Sequence, residues 1–358
     1  MKTKLLLAVY FVLIAQAAQS ADILRQHWNS NTEWEVASGS SGNKSYISKF
    51  GEAPDIDIAD GFETLWDGGG TYVPPTAART HQVASTLAAD AGNELSSGTC
   101  TGDGANDGSN IIDSTATFIT DTVAIGDYVL NDSDVTIGKI TAVTSETVLT
   151  IDHMANPGSL IGEGINHKGE SYRVVESSST GAGVIHIQGL NSTLENSISE
   201  FVITNGVTNV ATANDYKRIF RARTFVSGSG NEAAGIITIT ADTDATVTAQ
   251  IINGNNQTMM CIYTVPVGKT GYLMSWRANL SRRGNAISNV ILRVGDLLGV
   301  NYITDRAAIL GSGSSSYVHN FPHPLTIAGG VDIFIEADSS ANDAGVACGF
   351  EMLLFDQR

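Results

Sequence analysis

The sequence predicts an all-β protein: a C-terminal jelly-roll-like β-sandwich preceded by a β domain that a small inserted β barrel or meander interrupts. Three observations predict it. Glycine is abundant, at 37 of 358 residues, as tight turns between short strands require. Charged residues make up only 16%, against roughly 25% in average soluble domains, too few for long solvent-facing helices. Apolar residues alternate with polar ones, or cluster in short runs bounded by turn residues. The hydrophobic fraction of 42% suffices for real cores, and the length suits two or three domains.

Residues 1–21 resemble a secretory signal or an anchoring apolar segment. Lys2 and Lys4 precede an apolar stretch from Leu5 to Ala18, and Ala15, Ala17, Ala18 and Ser20 offer small residues for cleavage. An uncleaved helix, the one membrane contact the chain would have, is the competing reading. Residues 22–60 are polar, with Trp28 and Trp34, and read as an N-terminal arm or linker. The acidic side chains Asp55, Asp57, Asp60, Glu63 and Asp67 read as a solvated or subunit-facing strip.

Strands begin near residue 80. Residues 61–99 and 180–228 read as the interrupted β domain, with strands at 83–86, 183–190, 199–206 and 218–226. Asn205-Gly206 is a hairpin signal. In the last strand Arg218, Arg221 and Arg223 suit pairing with carboxylates or a solvent face. Residues 100–179 read as the inserted module, with strands at 116–119, 128–131, 137–143, 147–151 and 172–175. Its Cys100 to Asn110 turn is only loosely like a Ca²⁺ loop, since Ala105 stands where an oxygen ligand is needed. Residues 229–358 read as the sandwich, with strands at 235–240, 247–252, 259–265, 270–280, 289–294, 307–310, 317–319, 332–337 and 345–355.

Candidate chemistry is sparse. His319 and His323 are four apart, a metal spacing only on a helix, which Pro322 and Pro324 forbid. No G-x-S-x-G elbow, P-loop or dinucleotide fingerprint is present. No catalytic, cofactor or metal residue is assigned, and the chain is not expected to be an enzyme. Cys100, Cys261 and Cys348 are odd in number and widely spaced, which indicates no disulfide framework. The net charge of −17 argues against nucleic acid as a partner.

The run from Gln257 to Leu273, with Tyr263-Thr264-Val265-Pro266-Val267-Gly268-Lys269-Thr270, and the ending from Ser340 to Leu354 resemble structural proteins of tailed phages, notably marine ones. Gly61 to Gly70 (GF-x-T-L-W-D) and Val83 to Asp90 (V-x-S-T-x-A-x-D) resemble the front of that family, and 113–131 a small module inserted in such proteins. The resemblance implies a virion component: a head decoration, fibre or tail/baseplate protein. Its partners would be copies of itself, with a homotrimer expected, and other virion proteins. The signal-like start instead suits a secreted or surface adhesive that binds carbohydrate, such as a host-surface glycan.

Overall fold

A computed structural model describes residues 44–357 except 60, 104–109, 153–167, 178–179, 281–286, 298–302 and 312–314. The signal-like segment 1–21, Asp60 and His27, His153 and His167 lie outside the described residues, as does most of the Ca²⁺-like turn. Among the described residues no helix is long and apolar enough to cross a membrane.

The described residues open with β1 (Lys44–Ile56) and β2 (Glu63–Thr64), followed by β3 (His81–Ser85). It next builds β4 (Glu94–Thr99), β5 (Asn110–Ile112), β6 (Tyr128–Asn131), β7 (Thr136–Ser145), β8 (Val148–Ile151) and β9 (Ser171–Val175). It returns through β10 (Ala182–Leu190), β11 (Ser197–Ile203), β12 (Val210–Ala211), β13 (Arg218–Ser227), β14 (Ile237–Ala241) and β15 (Val247–Ile251). It finishes with β16 (Ile262–Thr264), β17 (Lys269–Leu280), β18 (Ser288–Gly295), β19 (Ile303–Leu310), β20 (Ser316–Ile327), β21 (Asp332–Ser339) and β22 (Ala344–Asp356).

The first and last parts of the chain together make one sandwich. One sheet runs β1-β22-β17-β20 and the other β16-β21-β18-β19, with β2 also on β21. Numbered along the chain, with β2 and β16 sharing a position, the orders are 1-8-3-6 and 2-7-4-5. That is the strand order of a jelly roll, two Greek keys wrapped into two sheets. Trp276, Phe350, Leu292, Ile335 and Met352 fill the space between them. Residues 22–60 are therefore not simply an arm: 44–56 form edge strand β1, paired from Lys44↔Phe355 to Ile56↔Ala344. The inward positions of β1 include Lys49, Gly51 and Ala53, so its sequence lacks a strong apolar stripe, and its partner lies at the far end of the chain.

Strand β2 also corrects the order of units. Leu65 N donates to Ile335 O (2.9 Å) and Cys261 N to Leu65 O (3.0 Å). The chain leaves a jelly-roll strand after Leu65 and resumes the same position at Cys261, with residues 66–260 inserted between. The sandwich surrounds the other units rather than following them. At this crossing Gly51 is obligatory, since a Cβ there would lie 2.4 Å from both Leu65 O and Cys261 N.

The inserted unit has two sheets, β11-β10-β13 and β12-β3-β14-β15. Ile185, Ile187, Ile219, Ile237, Ile239 and Ile251 fill its core. β14 and β15, read from sequence as sandwich strands, belong here, because β14 pairs with β3. Asn205-Gly206 does turn the chain, with Gly206 at φ 57°. It joins strands of different sheets rather than a hairpin. Bulges opposite β10 break the simple alternation read in β13, so Ile219 and Ala222 share the buried face.

The nested module is a single sheet, β4-β9-β6-β7-β8-β5. Its side chains obey the strand period of two. Val129 and Val174 enter its own core, while their neighbours Leu130 and Val175 pack on Val184, Phe201 and Val226 of the middle unit. Residues 116–119 are a turn rather than the expected strand, with Phe118 fully buried as a plug. β4 belongs to this module too, so the boundary lies before Glu94 rather than at 100.

Candidate functional site

Among the described residues, β19 and β20 end the two sheets of the sandwich at the edge away from β1. Among the described residues β20 pairs only with β17. The sequence predicts a strand only at 317–319, whereas β20 runs on through Pro322 and Pro324, which cannot donate to a ladder. An edge tolerates them. Between Leu273↔Leu325 and Ser275↔Asn320 the register jumps, so residues 321–324 bulge outward opposite Met274. Tyr317, His319 and Phe321 form an aromatic row: His319 lies 4.6 Å edge-on from Phe321 and stacks with Tyr317 at 6.4 Å, and Tyr317 sits 4.9 Å from Trp276. On the opposite face Val318 is 63% exposed. An open strand edge with exposed apolar side chains is a template for pairing with another chain.

The sequence candidates disperse. His319 lies in the strand and His323 in the bulge. Among the described residues the carboxylates close enough to share a cation are Asp55, Asp57 and Asp343, whose backbone N also donates to Asp57 Oδ1 (2.9 Å). The acidic strip is only partly a solvated one. Glu63 and Asp67 are buried: Glu63 Oε2 accepts from Gly70 N (2.7 Å) and Asp67 Oδ2 from Met259 N (2.7 Å). Burial pushes the Asp67 carboxyl up to about 7. Cys261 and Cys348 are buried free thiols in the same core, and burial with the neighbouring Cys261 holds Cys348 well above its usual value.

Among the described residues, clefts lie between the units. One, of about 780 Å³, lies between the nested module and β11. Arg173 there grips Asp132 through two bonds (2.8 and 2.6 Å) and donates to Phe201 O (2.9 Å). Glu200 accepts from Ala213 N (2.7 Å) and Asn214 N (3.0 Å). A second, of about 360 Å³, lies where β1, β13 and the end of β16 meet. Buried Lys49 lines it, its amine held down at about 7 by burial first and by Arg221 second. Neither cleft has a local signature along the chain, since the walls of each come from distant segments.

His186 of β10 is also buried, ringed by Phe201 (5.2 Å) and Phe225 (5.6 Å), and burial with nearby Arg223 and Arg221 holds its pKa down at about 3. The unfolded imidazole titrates near 6.5. Below that pH the unfolded chain takes up a proton that the folded chain refuses. The stability this group permits is therefore whole above about pH 6.5 and is lost as pH falls toward 3, by up to about 1.4 kcal/mol per pH unit. His186→Leu should flatten the acid limb of a urea-midpoint profile by that slope. An unchanged difference between variant and wild type across this window would refute the assignment.

No family model and no curated protein matches the chain. Among solved structures, a chain in "Structure of infectious bursal disease virus Gt strain" is similar at 8% identity, with 88% of this chain and 77% of that one covered. Its TM-score is 0.14, a value from which neither fold nor function follows. The jelly-roll assignment stands on the strand order alone.

Proposed function

We propose that the chain is a structural component of a phage-like virus particle, a head decoration, fibre or tail/baseplate protein, that acts through contacts between subunits. The open edge at β20 is the observation that carries this reading. One side of the sandwich is covered by the chain's own inserted unit, while the other keeps a long edge strand, an aromatic row and exposed Val318. A second copy adding a strand along Ser316 to Asn320 would satisfy that edge, with the proline bulge ending the pairing. Closed symmetry turns such a contact into a ring, and a trimer is the expected form. The strong negative charge keeps free subunits apart until short-range contacts form. The resemblance of the Tyr263 to Thr270 and Ser340 to Leu354 segments to tailed-phage structural proteins supports the same reading. No catalytic step is assigned to the chain.

The test is proteomics of purified particles together with light scattering of the pure protein. The chain should be present in fixed copy number, and the pure protein should be a trimer. Val318→Asp, at the centre of the contact, should weaken association by about 2 kcal/mol or more, some 30-fold. A monomeric wild type, or particles lacking the chain, would refute the proposal. A mature N-terminus near residue 21 found outside intact host cells would favour the secreted adhesive instead.

A further inference from the structure

The smaller cleft holds two cations, Lys49 and Arg221, for which the described residues supply no counter-charge. Lys49 is 7% exposed, and its ammonium donates to Phe220 O and lies over the Phe220 ring. Arg221 lies over the Phe50 ring (5.7 Å) and donates to Gln257 Oε1 (2.9 Å). Among the described residues neither forms an ion pair. The third cation of the cleft, Lys269, is neutralised by Asp356 (2.6 Å). Lys49 is buried and Arg221 half-buried; two such adjacent cations repel each other, and holding them partly out of water without a counter-charge is costly. In a chain with far more acids than bases, a carboxylate could easily have evolved beside them.

We propose that this cleft binds a carboxylate-bearing sugar, with Lys49 and Arg221 holding the carboxylate. A guanidinium fork suits the two oxygens of a carboxylate, and the ammonium adds a point charge. Ser48, Ser199, Phe220 and Tyr263 also line the cleft, so polar and aromatic residues of the kind that meet a sugar ring stand at its walls. The volume lies within the roughly 300–1,000 Å³ of small-molecule sites. A monoanion suits the site better than a polyanion, which the net charge of −17 would repel. This inference is independent of the role of β20.

Calorimetric titration of the full chain at low salt and about pH 6, where the Lys49 amine is protonated, tests it, with glucuronate, glucose and inorganic phosphate as probes. Glucuronate should bind, and glucose, its uncharged counterpart, at least tenfold more weakly. Lys49→Met and Arg221→Gln should each weaken glucuronate at least tenfold, and Arg221→Gln alone carries the test if Lys49→Met does not fold. Absence of glucuronate binding would mean that Lys49 is only an inward-pointing charge guarding edge strand β1, and would overturn the proposal. Binding unchanged in a folded variant, or phosphate binding as tight as glucuronate, would overturn it equally.

Discussion

Asp90→Ala should destabilise the protein by about 4 kcal/mol or more, the largest effect expected from any single side chain here. The Asp90 side chain is fully buried and accepts four hydrogen bonds. Oδ1 takes Ala182 N (2.7 Å) and Ala234 N (2.8 Å), and Oδ2 takes Ser85 Oγ (2.5 Å) and Gly235 N (2.7 Å). These donors come from the end of β3, the start of β10 and the approach to β14. Asp90 thus pins both stems of the nested module to the middle unit. Its backbone joins in, since Asp90 O accepts from Gly206 N (2.8 Å). Gly181 has no side chain because a Cβ would lie 2.2 Å from Asp90 Oδ1. Alanine would leave three N–H groups without an acceptor, those of Ala182 and Gly235 buried and that of Ala234 half-buried, and each buried one costs about 1–3 kcal/mol. Asp90→Asn keeps one acceptor oxygen but turns N–H groups toward N–H groups, so it should fall between alanine and wild type. Urea unfolding measures both, and a loss below 1 kcal/mol for alanine would show that the knot is dispensable.

This knot shows how far the sequence could be read. The V-x-S-T-x-A-x-D pattern was visible, and its members do share one job: Ser85 donates to Asp90, and Thr86 Oγ1 accepts from Ile236 N (2.9 Å). The job itself was not visible, because the N–H groups served lie some 90 and 145 positions away. Strands β6, β9 and β10 were legible because alternation and turn residues are local signals. The turn at Pro266 to Lys269 was legible for the same reason, with Gly268 at φ 83° and Lys269 N closing onto Pro266 O (3.0 Å). β1 was missed because an edge strand needs little apolar character and pairs with the opposite end of the chain. β14 and β15 were misplaced because adjacency in sequence stood in for adjacency in space. The smaller cleft was hidden for a related reason. Lys49 and Arg221 are 172 positions apart and meet only because a whole unit is inserted into one jelly-roll strand.

The joint between that unit and the jelly roll rests on a second buried charge, and Arg218→Met should cost about 3–5 kcal/mol there. Arg218 of β13 is 5% exposed and Asp332 of β21 is 1% exposed. Nη2 lies 3.3 Å from Oδ2 and Nε 3.4 Å from Oδ1, while Arg218 Nη1 also donates to Lys217 O (3.1 Å). Asp332 further accepts from the Thr264 hydroxyl and from Leu297 N (2.9 Å). Removing the guanidinium strands a carboxylate in an apolar setting, and removing the charge of Asp332 strands the guanidinium. Losing both charges together leaves no orphaned ion. Arg218→Met combined with Asp332→Asn should therefore cost less than the sum of the two single changes, because asparagine still offers an oxygen to Thr264 or Leu297. The non-additivity should reach about 1.5 kcal/mol, within the range for residues in contact. Calorimetry adds a readout specific to the joint. If this pair couples the units, Arg218→Met should split one unfolding transition into two, with the middle unit and the jelly roll melting apart. Additive costs and a single transition in every variant would show instead that the pair is locally tolerated and that the shared apolar contacts of Met260, Ile262 and Phe334 hold the units together.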